Sequence, residues 1–278
     1  MATSVNPPGP AVTDFALDAR SVIVMAHPDD EVLWASSALG RAGRVILAYE
    51  ALPGRPDVTE GRRAALARFP RAVESLRLTE TGAFGTAAWP DPVETPEGLE
   101  VAAGPGAMRG FDPAGYRARF AELRDRLRPA LAGARTVITH APWGEYGHED
   151  HVQLCRAVEA LRDELGLALF VPAYVSARSA ALMSRALGRL GAPTPPMPTD
   201  RALAAELRGL YRATGCWTWS DDHEWPETEI FYPLLPDPGP PPARSYPMTV
   251  VPAPGGRAPL PRGPGARVMR RIRRIAGG

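Results

Sequence analysis

Four short apolar runs rich in Val and Ile alternate with segments of helical period: Ser21 to Ala26, Arg44 to Tyr49, Thr136 to Thr139 and Leu167 to Val175. Runs this short that stay apolar on both faces suit strands buried inside a parallel sheet. The helical patterns cover Glu31 to Ala42, Thr59 to Leu76, Pro113 to Leu131, Glu149 to Leu165 and Asp200 to Tyr211. Strand alternating with helix predicts an α/β chain with a Rossmann-like open, mostly parallel sheet and helices on both faces. In such sheets ligands bind beyond the carboxyl ends of the strands. The loops that follow Ala26 and Thr139 are therefore the first places to look for chemistry.

A chain of 278 residues suffices for one substantial domain, expected over residues 1–235. From residue 236 the composition turns to Pro and Gly, Asp237 is the last acid, and five Arg fall between Arg267 and Arg274. Residues 236–278 therefore read as a tail, either solvated or in weak peripheral contact with an anionic membrane surface. Trp89 to Gly110 lacks any period and reads as a long loop over the sheet. The formal charge is +1, and all 32 basic residues are Arg, spread along the chain, which gives no case for nucleic acid as a partner. No run approaches the roughly 20 apolar residues that span a bilayer. The first twenty residues also lack the pattern of a secretory signal. Cys155 and Cys216 have neither metal-knuckle nor redox spacing, so buried free thiols in a cytoplasmic protein are expected.

Three of the five histidines fall in two acidic motifs, His27-Pro28-Asp29-Asp30-Glu31 and Gly147-His148-Glu149-Asp150-His151, each just beyond a predicted strand. Loops leaving neighbouring parallel strands converge, so the two motifs can share one ion. Catalytic zinc takes three ligands from imidazoles and carboxylates and keeps a fourth position for water. His27, Asp30 and His151 form such a set, although iron, cobalt or manganese would also suit these donors. Asp29 is then free to act as a base, and His148 to donate to an oxyanion. Taken singly, the first motif is a turn in which Asp30 caps a helix, and the second is a surface His pair. Together, at two strand ends, they point to a metal centre. His140 reads as a packing or supporting residue and His223 as part of a solvated turn. Trp143 and Tyr146 offer aromatic faces to a sugar ring, with packing as the equal alternative. Trp217, Trp219 and Trp225 read as residues that close the fold, in a segment that could also rim the pocket.

On these residues the chain resembles the LmbE-like, or PIG-L, family of metal-dependent N-deacetylases. That family is marked by Ala-His-Pro-Asp-Asp-Glu after the first strand, here Ala26 to Glu31, and by Gly-His-x-Asp-His after a later one, here Gly147 to His151. The resemblance runs from Ser21 to Leu165. It implies zinc-dependent removal of an acetyl group from an N-acetylated amino sugar, an N-acetylglucosamine-type glycoconjugate or natural-product intermediate. It also implies His27, Asp30 and His151 as ligands, Asp29 as general base, His148 as oxyanion donor and Asp150 as the residue that orients its catalytic neighbours, while Glu31 reads as a helix-start residue that supports the loop. The alternatives are an amidase that cleaves a larger acyl group and a non-catalytic, metal-containing sugar-binding protein. The chain departs from the family in two places. Glycines common after Asp-Asp-Glu are replaced by Val32-Leu33-Trp34-Ala35-Ser36-Ser37. The Arg that meets the sugar is matched by either Arg62 or Arg63, and the pattern does not choose between them.

Overall fold

The computed structural model describes residues 15–104, 107–108, 110–238 and 246–252. Six strands make the central sheet: β1 (Ser21–Met25), β2 (Arg44–Ala51), β3 (Val73–Thr79), β4 (Thr136–Thr139), β5 (Ala168–Pro172) and β6 (Phe231–Pro233). Their order is β6-β5-β4-β1-β2-β3, and every pair is parallel except β6 with β5. Val22 faces Arg44 on one side of β1 and Val137 on the other, so β1 is central and flanked on both edges. The chain winds outward from β1 in both directions. A crevice therefore opens between the loops that leave β1 and β4, the switch point of a doubly wound sheet.

The unbroken apolar character of β1 has a direct cause. Val22 and Val24 face a core with Leu123 and Leu127 of α4 (Pro113–Ala130) and Val152 and Leu154 of α5 (Glu149–Glu159). Ile23 and Met25 face a second core with Val32 and Trp34 of α1 (Asp30–Trp34) and Leu207 and Tyr211 of the late helix α6 (Arg201–Ala213). Alternate residues thus serve opposite faces, each aliphatic side chain contributing about 1.5–3 kcal/mol by burial. Arg55 and Pro56 open α3 (Pro56–Leu66), which lies against β2.

Several elements differ from the expected ones. The helix expected over Glu31 to Ala42 is broken at Ala35 (φ −144°, ψ 30°), and α2 (Ser36–Leu39) restarts it. The Ser37 N–H is taken at 2.6 Å by the buried carboxylate of Glu229, which the Tyr174 hydroxyl holds at 2.7 Å. That carboxylate replaces the intrahelical acceptor. The helix expected to Leu76 ends at Leu66, and Val73–Thr79 forms the edge strand β3 instead. The fourth apolar run divides at Ala173, because Tyr174–Val175 pairs with Thr249–Val250 rather than with β6. Residues 246–252 are thus docked on the domain, although the tail was expected from residue 236. The Arg-rich segment Arg267 to Arg274 lies outside the described residues. The long loop carries a small hairpin, Glu94–Thr95 with Gly98–Leu99. Cys155 and Cys216 are buried free thiols, as expected. Among the described residues no helix is long and apolar enough to cross a membrane.

Candidate active site

The loop after β1 closes on itself through Asp30. Its backbone N–H donates to the His27 carbonyl at 3.1 Å, and the His27 N–H donates back to Asp30 Oδ2 at 2.8 Å. This tight turn forces Asp29 to φ 109°, a region that side-chain-bearing residues seldom occupy. The Glu31 carboxylate supports the turn by accepting the Asp29 N–H at 3.1 Å, and it is itself held by the Tyr211 hydroxyl at 2.7 Å. Glu31 thus braces the loop from the α6 side. The loop after β4 is equally compact. A Cβ on Gly144, which has φ 63°, would lie 2.6 Å from the His148 carbonyl oxygen, so only glycine permits this approach.

The two loops bring three ligand atoms together. His27 Nδ1 lies 3.0 Å from Asp30 Oδ2, His151 Nε2 lies 3.2 Å from the same oxygen, and the two nitrogens are 3.3 Å apart. A tetrahedral ion with bonds of about 2.0–2.1 Å spaces its ligands about 3.3 Å apart, so a zinc-sized ion fits this triangle. The electrostatics agree. Burial alone would lower His27, but the carboxylates of Glu80, Asp150 and Asp30 overcome it and raise the group to about 10. Burial alone would raise Asp30, yet His151, His140 and His27 hold it well below the usual carboxylate range. Without a cation, the cluster seeks positive charge.

Tautomers are set by neighbours the sequence did not single out. Glu145, fully buried, accepts from His140 Nδ1 at 2.9 Å and from His151 Nδ1 at 2.8 Å through one oxygen, and from the Ala141 N–H at 2.7 Å through the other. With its Nδ1 proton committed, His151 presents a bare Nε2 to the site. The Nε2 of His140 accepts the Ala26 N–H at 2.9 Å, which engages that nitrogen with the backbone. It also lies 3.5 Å from Asp30 Oδ2, close enough for His140 to join Asp30 and His151 around an ion. Burial pushes the Glu145 carboxyl up, but His140 and His151 reverse this and bring it to about 2. Asp150 accepts from the Thr81 hydroxyl and turns its other oxygen toward His27 Nε2 at 3.6 Å. Neither that oxygen nor that nitrogen has a hydrogen-bond partner among the described residues, and Glu80 Oε1 lies 3.7 Å from the same nitrogen.

Trp34 explains the missing glycines. Its indole N–H donates to Asp30 Oδ1 at 2.9 Å, which fixes the carboxylate so that Oδ2 faces the three imidazoles. A Trp34→Phe variant keeps the packing and removes the donor. Zinc affinity is expected to fall about 10-fold, the lower end for a supporting partner of a ligand. Competition with a chelating dye measures the fall, and an unchanged affinity would reduce Trp34 to a packing residue.

Asp29 is held apart from the triangle. Its Oδ2 accepts the Thr218 N–H at 2.9 Å and the Thr218 hydroxyl at 2.7 Å, which leaves Oδ1 toward the cleft. Burial first, and then the charge of Asp30, raise Asp29 to about 7, with Thr218 and Arg62 offsetting only part of the shift. His148 accepts the Asp150 N–H through Nδ1 at 3.2 Å and so carries its proton on Nε2. Burial, followed by the neighbouring His151 and His27, lowers His148 well below its ordinary value and keeps it a neutral donor.

These groups floor a cleft of about 530 Å³. Of the expected substrate contacts, Arg62 and Tyr146 line it. Arg62 is 2% exposed and paired with Glu80, whereas Arg63 is on the outer side of α3, paired with Glu50 and Glu60. Residues adjacent on a helix point about 100° apart, so only one of the two can face the site. Trp143 also falls outside the cleft. Its ring is fully buried and its N–H donates to the Tyr174 carbonyl at 2.7 Å, which makes it a core residue. Trp219 lines the cleft, and its N–H donates to His223 Nδ1 at 3.2 Å, so His223 is a support rather than a solvated turn. Trp225 closes the fold by donating to the Val32 carbonyl at 2.6 Å.

No protein-family model matches the chain. A 1D-myo-inositol 2-acetamido-2-deoxy-alpha-D-glucopyranoside deacetylase of Kineococcus radiotolerans is 31% identical over 165 residues, which cover 50% of this chain and 43% of that protein. The chain thus matches less than half the length of this curated relative. Among solved structures, the zinc-inhibited form of teicoplanin deacetylase Orf2 is similar with a TM-score of 0.53 at 16% identity, over 77% of this chain and 98% of that one. The A40926 pseudoaglycone deacetylase Dbv21 is similar with a TM-score of 0.50 at 17% identity, over 78% and 97%.

Proposed function

Because the chain has the LmbE-like, or PIG-L, deacetylase fold, we propose that it is a zinc-dependent hydrolase that removes the acetyl group from an N-acetylated amino sugar. The observation that carries this reading is the triangle of His27 Nδ1, Asp30 Oδ2 and His151 Nε2 beside a carboxylate, Asp29, that is not committed to it. A structural metal site needs no such spare base. A divalent cation held by these three ligands would supply water of lowered pKa and polarise the acetamide carbonyl.

The chain's own groups account for the protons. Asp29, raised toward neutrality, takes a proton from the attacking water through Oδ1 and returns it to the amine as the C–N bond breaks. His148 donates its Nε2 proton as a hydrogen bond to the oxygen on which charge develops. Asp150, facing His27 Nε2, orients that imidazole as a ligand. Thr218 keeps the base from turning toward the triangle. The buried thiols of Cys155 and Cys216 fit a reducing, cytoplasmic setting.

Incubating the zinc-loaded protein with a panel of N-acetylglucosamine compounds should release acetate, and chelation should abolish the release. Cleavage of bulkier amides alone, with no acetate from any acetylated sugar, would replace this reading by that of an amidase for larger acyl groups.

A further inference from the structure

We propose that the group attached to the sugar is apolar, an alkyl or aryl aglycone, received by Leu52, Phe84, Met108 and Trp219. This rests on the deacetylase reading for the sugar end of the cleft. The four side chains line the same cleft as Asp29 and His148, so a group attached to a sugar at the reacting residues can lie against them. Phe84 lies 4.8 Å from the His148 ring, Trp219 lies 4.8 Å from Tyr146, and Tyr146 lies 5.8 Å from His148. An aromatic wall therefore runs outward from the oxyanion donor without a break.

Several polar groups beside that wall are already engaged among the described residues, while the Tyr146 hydroxyl, next to His148, has no such partner. Thr218 spends both its N–H and its hydroxyl on Asp29. Ser220 donates to Asp222, and the Trp219 N–H donates to His223. Arg62 is neutralised by Glu80. A polyol or phosphate laid against Leu52, Phe84, Met108 and Trp219 would lose water and gain no partner from these four side chains, which disfavours it there. An alkyl or aryl group gains by the same burial. At about 530 Å³ the cleft also exceeds what a single acetylated hexose fills, in the range of sites that enclose drug-sized ligands.

The test compares the methyl and octyl glycosides of N-acetylglucosamine on the zinc-loaded full chain, below the micelle concentration of the octyl compound. Each methylene taken from water is worth about fourfold, so partial burial of the chain should raise kcat/KM about 10-fold or more, carried by KM. Met108→Gln, which conserves length in a loop, and Trp219→Ala should each bring the octyl-to-methyl ratio down to about twofold. Calorimetry with the two deacetylated glycosides reads the same preference as Kd, without turnover. Equal values for both glycosides, or a preference for a 6-phosphorylated sugar, overturn the apolar aglycone while acetate release leaves the deacetylase reading standing. Tight binding of the octyl amine with no acetate from either substrate does the opposite.

Discussion

Asp29→Asn should lose deacetylation by about 10²–10⁴ in kcat while zinc stays bound, because the change removes a proton acceptor and little else. Asparagine has the same shape, and its carbonyl can still accept both hydrogen bonds from Thr218. The three triangle atoms belong to other residues, so metal content should be unchanged by elemental analysis. A variant that keeps its metal and also keeps its rate would remove Asp29 from the reaction. The same substitution should stabilise the metal-free protein, and the sign follows from linkage. The folded carboxyl lies at about 7 against an ordinary value of 3.8, so the folded state holds its proton more tightly and loses stability as pH rises between those values. The amide does not titrate and escapes that loss. Melting temperatures of the two metal-free proteins should therefore coincide near pH 4 and separate above pH 7, with the variant higher.

The triangle of His27, Asp30 and His151 was legible because its members sit in two contiguous loops that strand–helix alternation places side by side. The residues that tune it were not, for reasons that differ by position. Glu80 and Thr81 follow β3, whose residues Leu76 and Leu78 are buried while Glu74, Arg77 and Thr79 are exposed. That one-sided edge strand adjoins a helix and fits a helical period over so short a span, so nothing local marks its exit as a strand end. Glu145 lies within the second loop, but a single acid five residues after His140 has no spacing that distinguishes it from a surface turn. Thr218 reaches Asp29 from a segment nearly two hundred residues away, and although that segment, with Trp219, reads from the sequence as able to rim the pocket, no local pattern reports its contact with the base. Trp143 and Tyr146 share a loop and an aromatic ring, and only the path of the backbone sends one into the core and the other to the cleft.

Glu145→Gln tests the deepest of these unpredicted contacts. The carboxylate is an acceptor on both oxygens and meets three donors, two imidazole N–H groups and the Ala141 N–H. An amide brings two donors of its own. Whichever way it is turned, an N–H faces an N–H in a site with no exposure to water, at about 1–3 kcal/mol for the group left unpaired. His151 can relieve the clash by moving its proton from Nδ1 to Nε2, where Asp30 Oδ2 waits at 3.2 Å to accept it. That hydrogen bond would occupy both ligand atoms and close the triangle to metal. Zinc affinity should therefore fall about 10- to 100-fold, with a lowered melting temperature. Nitrogen-15 spectra of the imidazoles should report the shifted tautomer of His151. Glu145→Asp retains the acceptor and the charge, so it should recover part of the affinity even where shortening the side chain costs stability. A Gln variant that melts early yet binds zinc as tightly as the parent would show that the carboxylate supports the loop alone, and that His151 keeps its tautomer by other means.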